Sequence, residues 1–205
     1  MIMNRVGILI IILSFVIFLG GCAGTRNFDM SYKSPKDYQN LFSSVSPLKI
    51  KVLNFIDKRE GNREGIWIGH RTGAFNTPMG EVYSERPIFD IVQEAIQSEL
   101  KQGGHSIVAE GQDITIQGTI DKFIVYTDTT LLYWDVVGEV ALSLTVVRND
   151  GTKSKLLGPY SGKSVKRTYI NPSIPIMRQA LSNSLSKTMK ELCSDKQIID
   201  VLNNK

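Results

Sequence analysis

Apolar and polar positions change period several times along the chain, and each change predicts an element. Val6 to Leu19 is apolar throughout except for Ser14, fourteen residues behind a start that carries one positive charge, Arg5. A spanning helix needs roughly 20 apolar residues, so this run is short for one. A positive start, a short apolar stretch and small residues at its end describe a secretory signal peptide over residues 1–21. From Ala23 to Pro47 no period holds: Ser, Asn, Lys, Asp and Pro dominate and apolar residues are scattered singly. That composition predicts a flexible tether over residues 22–47, with a root-mean-square span of roughly 25–30 Å. Leu48 to Ile56 alternates apolar and charged and then turns apolar on both faces, as an interior strand does.

Helical periodicity appears at Ser84 to Leu100, where Ile88, Ile91, Val92, Ala95, Ile96 and Leu100 form one stripe behind Pro87. Gly103 and Gly104 stop it, as a left-handed C-terminal cap requires. Period two follows. Ile114, Ile116, Ile120 and Ile124 oppose Thr115, Gln117, Thr119 and Asp121, and Val136, Val140, Leu142, Leu144 and Val146 oppose Glu139, Ser143 and Thr145. Asn149-Asp150-Gly151 is a hairpin turn, since Asp-Gly tolerates the positive φ of a type I′ turn. A more polar strand returns to about Tyr169. Pro172 and Pro175 then open a second helix reaching Cys193, with Met177, Ala180, Leu181, Leu185, Met189 and Leu192 inward, and Asp195 caps a last short turn. The order predicts one α+β domain over residues 48–205. It is a two-layer sandwich, a largely antiparallel sheet with two main helices packed on one face.

Composition changes this picture little. The chain has 205 residues, 42% hydrophobic and 21% charged, with a net charge of +4, a mild excess that gives no reason to expect a nucleic-acid partner. Two cysteines and two histidines are too few for a four-ligand structural metal site. His70 and His105 have no metal-ligand spacing with either cysteine, so no metal and no cofactor is expected. Cys193 continues the row Leu181, Leu185, Met189 at helical steps, which reads as a small buried residue rather than a nucleophile.

Leu19-Gly20-Gly21-Cys22 resembles the lipobox of bacterial lipoproteins. The resemblance implies that the Cys22 thiol receives a diacylglyceryl group, that cleavage falls before it, and that the freed amine is acylated. Several acyl chains hold a protein firmly to a bilayer where one does not. Ala23 takes the place of the Asp that favours inner-membrane retention in enteric-type sorting. By that rule the destination is the periplasmic face of the outer membrane, in preference to the inner membrane. Beyond the lipobox, several segments are similar to the YajG-type family of bacterial envelope lipoproteins. They are Val52-Leu53 leading into Asp57-Lys58-Arg59, the glycine-containing segment Ile66 to Gly69, the helix Val92 to Leu100 with Gly103-Gly104, the Gly118 strand and the closing helix. The resemblance implies an envelope lipoprotein without assigned enzymatic activity. A similar element order in auxiliary lipoproteins of envelope lipid-transport systems supplies a rival reading.

Three groups of residues are candidates for contact with something else. Between Gly151 and Lys190 there is no Asp or Glu, and Lys153, Lys155, Lys163, Lys166 and Arg167 crowd one strand. They are a candidate patch for an anionic partner, whether phospholipid, glycan or acidic protein, or a guard against edge-to-edge aggregation. Leu131, Leu132, Tyr133 and Trp134 gather at a strand connection, as a partner or lipid-binding patch if exposed and as ordinary core if folded inward. Trp67, in the glycine-rich segment, has the same two readings. Asp57, Arg59, Glu60, Arg63 and Glu64 crowd one loop. Paired acids are what glycosidases use, but no matching acid can be placed opposite, and an Asp57–Arg59 pair that fixes the loop is the better account.

Overall fold

The computed structural model describes residues 25–35, 38–61, 65–73, 77–149 and 154–203. The signal segment with Leu19, Gly20, Gly21 and Cys22 lies outside these residues, as do Lys153 and the Asp150-Gly151 turn. Among the described residues nine strands form a single sheet: β1 (Arg26–Phe28), β2 (Lys49–Val52), β3 (Ile56–Asp57), β4 (Trp67–Thr72), β5 (Pro78–Ser84), β6 (Ser106–Ile107), β7 (Ile114–Thr129), β8 (Trp134–Arg148) and β9 (Ser154–Thr168). Three helices are described: α1 (Ile88–Gln102), α2 (Ile174–Cys193) and α3 (Lys196–Leu202). The architecture is the expected α+β sandwich. Its backbone is the long antiparallel ladder β7–β8–β9, to which β2, β3 and β4 add in parallel along the other side of β7.

The α1 stripe is buried as its periodicity requires, from Ile88 through Leu100. Each fully buried Ile or Leu contributes about 1.5–3 kcal/mol, which is why this face seats the helix. Gly104 takes φ +91° just beyond its C-terminus. Asp195 caps α3, accepting from the Gln197 amide at 2.8 Å. Helix α2 lies on β8 and β9 unusually closely. Its row Ala180, Ser184, Thr188 is small, and the strands offer Gly138 and Gly162 beneath it. A Cβ at Gly162 would sit 2.1 Å from the Ser184 carbonyl oxygen, and one at Gly138 would sit 2.6 Å from that of Ala180. In this dry contact the Ser184 hydroxyl donates to Gly138 O at 2.7 Å and the Thr188 hydroxyl to Val140 O at 3.3 Å.

Two expectations change. A β-bulge at Asp121 shifts the register of β7 between Ile120 and Lys122. An extra residue reverses the alternation, so Phe123 and Val125 turn inward while Ile124, expected on the buried face, is half-buried on the open one. The second change is larger. The segment expected as a free tether is a strap packed on the body: Phe28, Met30, Phe42 and Val45 are buried, and β1 pairs in parallel with β5. Its apolar residues join the core at irregular spacings, so they leave no period to read.

The strap is fastened at Glu99, which is wholly buried on α1. The Tyr32 and Tyr38 hydroxyls both donate to its carboxylate. Asn40 Nδ2 donates to Glu99 Oε2 at 3.1 Å and to its backbone oxygen at 3.0 Å, while Asn40 Oδ1 accepts the Phe42 amide at 3.0 Å. Cys193 closes the cluster from α2, its Sγ 3.8 Å from Glu99. Burial, and then the carboxylate, push both tyrosine hydroxyls and the Cys193 thiol well above their ordinary ranges. Cys193 is thus a buried, un-ionised thiol, not a nucleophile.

Candidate functional sites: a basic cleft, a groove and an apolar tip

The basic residues of β9 do not form one patch. Along a strand alternate side chains face opposite ways, and Lys163 and Arg167 stand on the open face while Lys166 turns toward α2. On the open face β8 supplies the partners directly across the ladder. Glu139 lies opposite Lys163, and Asp135 opposite Arg167. Lys163 Nζ is 2.8 Å and Lys122 Nζ 2.6 Å from the Glu139 carboxylate. Burial works against ionisation of Glu139, but the two lysines outweigh it and lower its pKa to about 2. Arg167 holds Asp135 through two bonds, at 2.9 and 2.8 Å, and keeps that carboxyl below its usual range. Lys155 is exposed toward the other end of the strand.

Lys166 joins different lysines. With Lys187 and Lys190 of α2 it surrounds a cleft of about 450 Å³ between β9 and the helix, completed by Ser164, Asn183, Ser186 and Pro35 of the strap. Among the described residues no carboxylate lines it. Lys187 donates to the Lys163 carbonyl at 2.7 Å, and the Ser161 amide donates to Glu191 at 2.6 Å. These two helix side chains therefore cover part of the β9 edge, a task that sequence reasoning assigned to strand lysines. Lys187 and Lys190 are visible in the sequence as part of the acid-free stretch, but their meeting with Lys166 depends on the seat of α2.

A second concavity, about 600 Å³, opens at Trp67, Phe123 and Ile124, rimmed by Lys58, Arg59, Glu60, Asp121 and Lys122. Its floor is fixed by Arg59. The guanidinium pairs Asp57 through Nε–Oδ1 at 2.8 Å and Nη2–Oδ2 at 2.7 Å, and Nη1 donates to Trp67 O at 2.6 Å and Phe123 O at 2.9 Å. Asp57 is thereby consumed as a structural counter-ion. Trp67 is half-buried, neither full core nor free, and its buried indole N–H has no hydrogen-bond partner among the described residues. Glu60 and Asp121 are both exposed, and Asp121 already accepts from the Thr119 and Ser143 hydroxyls. They lack the burial that equips a carboxyl as a general acid.

The third feature is the end of the sheet where β7 turns into β8. Leu131 is 83% and Leu132 78% exposed, so the leucines are surface, and only Tyr133 and Trp134 are half-buried. The loop after β9 adds Tyr169 and Ile170, 73% and 71% exposed. Tyr133 meets Tyr169 edge-on at 6.4 Å, and the Arg167 guanidinium covers the Tyr133 ring at 3.7 Å. Among the described residues no group of three or more His, Cys, Asp or Glu is arranged to hold a metal ion. Among the same residues no helix is long and apolar enough to cross a membrane.

The fold and its surfaces define a two-layer α+β protein built to present clefts, with its buried carboxylates committed to structure. The chain belongs to the Lipoprotein_16 family, described as uncharacterized lipoproteins, whose profile matches residues 56–203; membership in a lipoprotein family carries a membrane-anchored, envelope location. No curated protein matches the chain. Among solved structures, protein XCC0632 from Xanthomonas campestris overlays with a TM-score of 0.58 at 9% identity, covering 88% of this chain and 99% of that one. The two share the fold. A putative neuraminyllactose-binding hemagglutinin homolog from Helicobacter pylori overlays with a TM-score of 0.40 at 10% identity, covering 86% and 97%. A PelC dodecamer from Paraburkholderia phytofirmans reaches 0.37 at 9%, covering 80% and 92%.

Proposed function

We propose that this chain is a YajG-type lipoprotein, anchored through Cys22 at the periplasmic face of the outer membrane, with a non-enzymatic binding or assembly role. Its cleft between β9 and α2 takes an anionic group. One observation carries the binding role: Lys166, Lys187 and Lys190 converge on a cleft that no carboxylate of the described residues lines. Three ammonium groups with hydroxyl and amide neighbours favour an anion in a salt-dependent way. The anionic group belongs to an envelope phospholipid, a glycan or an acidic protein partner.

The test of the cleft compares binding of inorganic phosphate and of a short anionic oligosaccharide by the wild type and by Lys166→Glu/Lys190→Glu. Loss of binding in the variant is expected. Equal binding by both, or none by the wild type, overturns the reading. The anchor is tested by metabolic labelling with an alkyne-bearing palmitate and by membrane fractionation. Cys22→Ser is expected to leave an unlabelled, unprocessed precursor, and normal maturation of that variant overturns the lipidated reading.

The groove at Trp67 favours a second reading, an auxiliary subunit of a lipid-transport complex. Apolar walls of Trp67, Phe123 and Ile124 under a charged rim suit an amphiphile. A fluorescent fatty acyl probe displaced by Trp67→Ala, with the cleft variant unaffected, would select it.

A further inference from the structure

The strap bears on which way the body faces. β1 pairs in parallel with β5, placing Arg26 beside Val82. Val82 lies beside Gly69, and Gly69 beside Val125. Arg26 therefore stands level with Val125, four residues before the end of β7, or about 13 Å along the strand axis. β5 runs away from the β7–β8 turn and β1 runs with it, so the chain preceding Arg26 leaves the sheet toward that turn. Cys22 is four positions before Arg26, a contour of at most about 14 Å. Four positions of chain thus bring Cys22 within reach of the end of the sheet that carries Leu131, Leu132, Tyr169 and Ile170, and leave the opposite end out of reach. The opposite end, where Glu110 is exposed, lies about 50 Å away along β7.

Of the seven large hydrophobic residues exposed among the described residues, these four gather at that end, and the others, Ile56, Leu156 and Val165, lie elsewhere. Scattered surface leucines need no explanation, but a contiguous apolar tip does. Its chemistry is graded. Leu131, Leu132, Tyr169 and Ile170 are exposed and Tyr133 and Trp134 beside them are half-buried, Tyr and Trp being the rings that favour the headgroup level of a bilayer.

We infer that this tip is a bilayer-docking surface: the 130–133 turn and the 169–170 loop seat in the same leaflet as the acyl chains and stand the sheet upright on the membrane. This rests on the reading of Cys22 as the lipidated residue. The orientation places the Lys166–Lys190 cleft along the side of the upright body and the Glu110 end toward the periplasm.

The test uses the full chain, matured and reconstituted in nanodiscs, with an environment-sensitive fluorophore on Leu132→Cys or on Glu110→Cys. Cys193 is buried and takes no label. A blue-shifted emission quenched by brominated lipid at position 132, with neither effect at 110, is expected. Charging the tip with Leu131→Asp in the 132-labelled protein is expected to abolish the quenching. Solvent-like emission at both positions overturns the inference. So does protection at 132 that appears only in native envelope membranes, which would assign the tip to a protein partner. Protection that rises with protein concentration in lipid-free buffer, marking a second copy, overturns it too. Palmitate labelling is read separately on the same samples. Quenching without acylation would sink the lipidated reading and keep the docking tip; acylation without quenching would do the reverse.

Discussion

Gly162→Ala asks how tightly α2 is set on the sheet. Adding a methyl group to a strand glycine ordinarily stabilises by about 0.4–1 kcal/mol, because the unfolded chain loses freedom. Here the new Cβ would lie 2.1 Å from the Ser184 carbonyl oxygen and 2.7–2.8 Å from Thr188 Oγ1 and N. These atoms are mostly helix backbone and cannot rotate away. Restoring an ordinary 3.4 Å contact means lifting α2 by about 1.3 Å. Such overpacking costs about 1–3 kcal/mol. Withdrawal also breaks Ser184 to Gly138 and Thr188 to Val140, at about 1 kcal/mol each. The sum, about 3–5 kcal/mol, lowers Tm by about 6–20 °C for a protein of this size. Thermal unfolding followed by circular dichroism reads it, with Gly104→Ala as comparison: there φ is +91° and nothing stands within 4 Å, so only backbone strain of about 1 kcal/mol applies. A Gly162→Ala melt equal to or above the wild type would refute the close seating of α2.

Arg59→Ala strands Asp57 and frees the Trp67 and Phe123 carbonyls, so urea unfolding should show a loss of about 3–5 kcal/mol, whereas an exposed pair would lose under 1. Tyr32→Phe and Tyr38→Phe each remove a donor to buried Glu99, a loss of about 1.5–3 kcal/mol, and hydrogen exchange should rise in residues 26–45 before the rest of the body; uniform acceleration would refute the strap as a separate unit. Glu139 has a folded pKa of about 2, below the unfolded value, so its contribution is present above about pH 4.5 and is lost as pH falls toward 2. Because Lys122 and Lys163 are more than half exposed, solvent screening reduces that contribution to about 1 kcal/mol. Glu139→Gln should flatten the stability curve between those pH values and leave it unchanged in shape above them.

Long periodic segments were legible in the sequence because one face of each is buried continuously: α1, α2, β7 up to Ile120, and β8. The register of β7 beyond Asp121 was not, since a bulge leaves no mark on alternation until it has occurred. The strap was illegible for a related reason. Phe28, Met30 and Phe42 are buried, and Tyr32 and Tyr38 partly buried, against elements distant in sequence, and no local pattern records such partners. Glu99 did leave a signal. It stands on the apolar stripe of α1, four residues after Ala95 and three after Ile96, where a charge calls for partners from elsewhere in the chain. The basic run of β9 was visible as composition. Its division between the two faces followed from alternation, but the acids that neutralise Lys163 and Arg167 became identifiable only once β8 and β9 were in register.

The short stretch between Cys22 and the strap has a consequence for encounter rates. A body on a long leash samples a broad volume in every orientation. On the proposed anchoring through Cys22 and docking of the tip, a body fastened within a few residues of its lipid diffuses in a plane, with its long axis upright. Two such molecules, or this one and a partner in the same leaflet, meet side to side and already aligned. Much of the rotational search is then complete before contact, and a lateral cleft too weak to hold its ligand in dilute solution is filled at the high local concentration of the membrane surface.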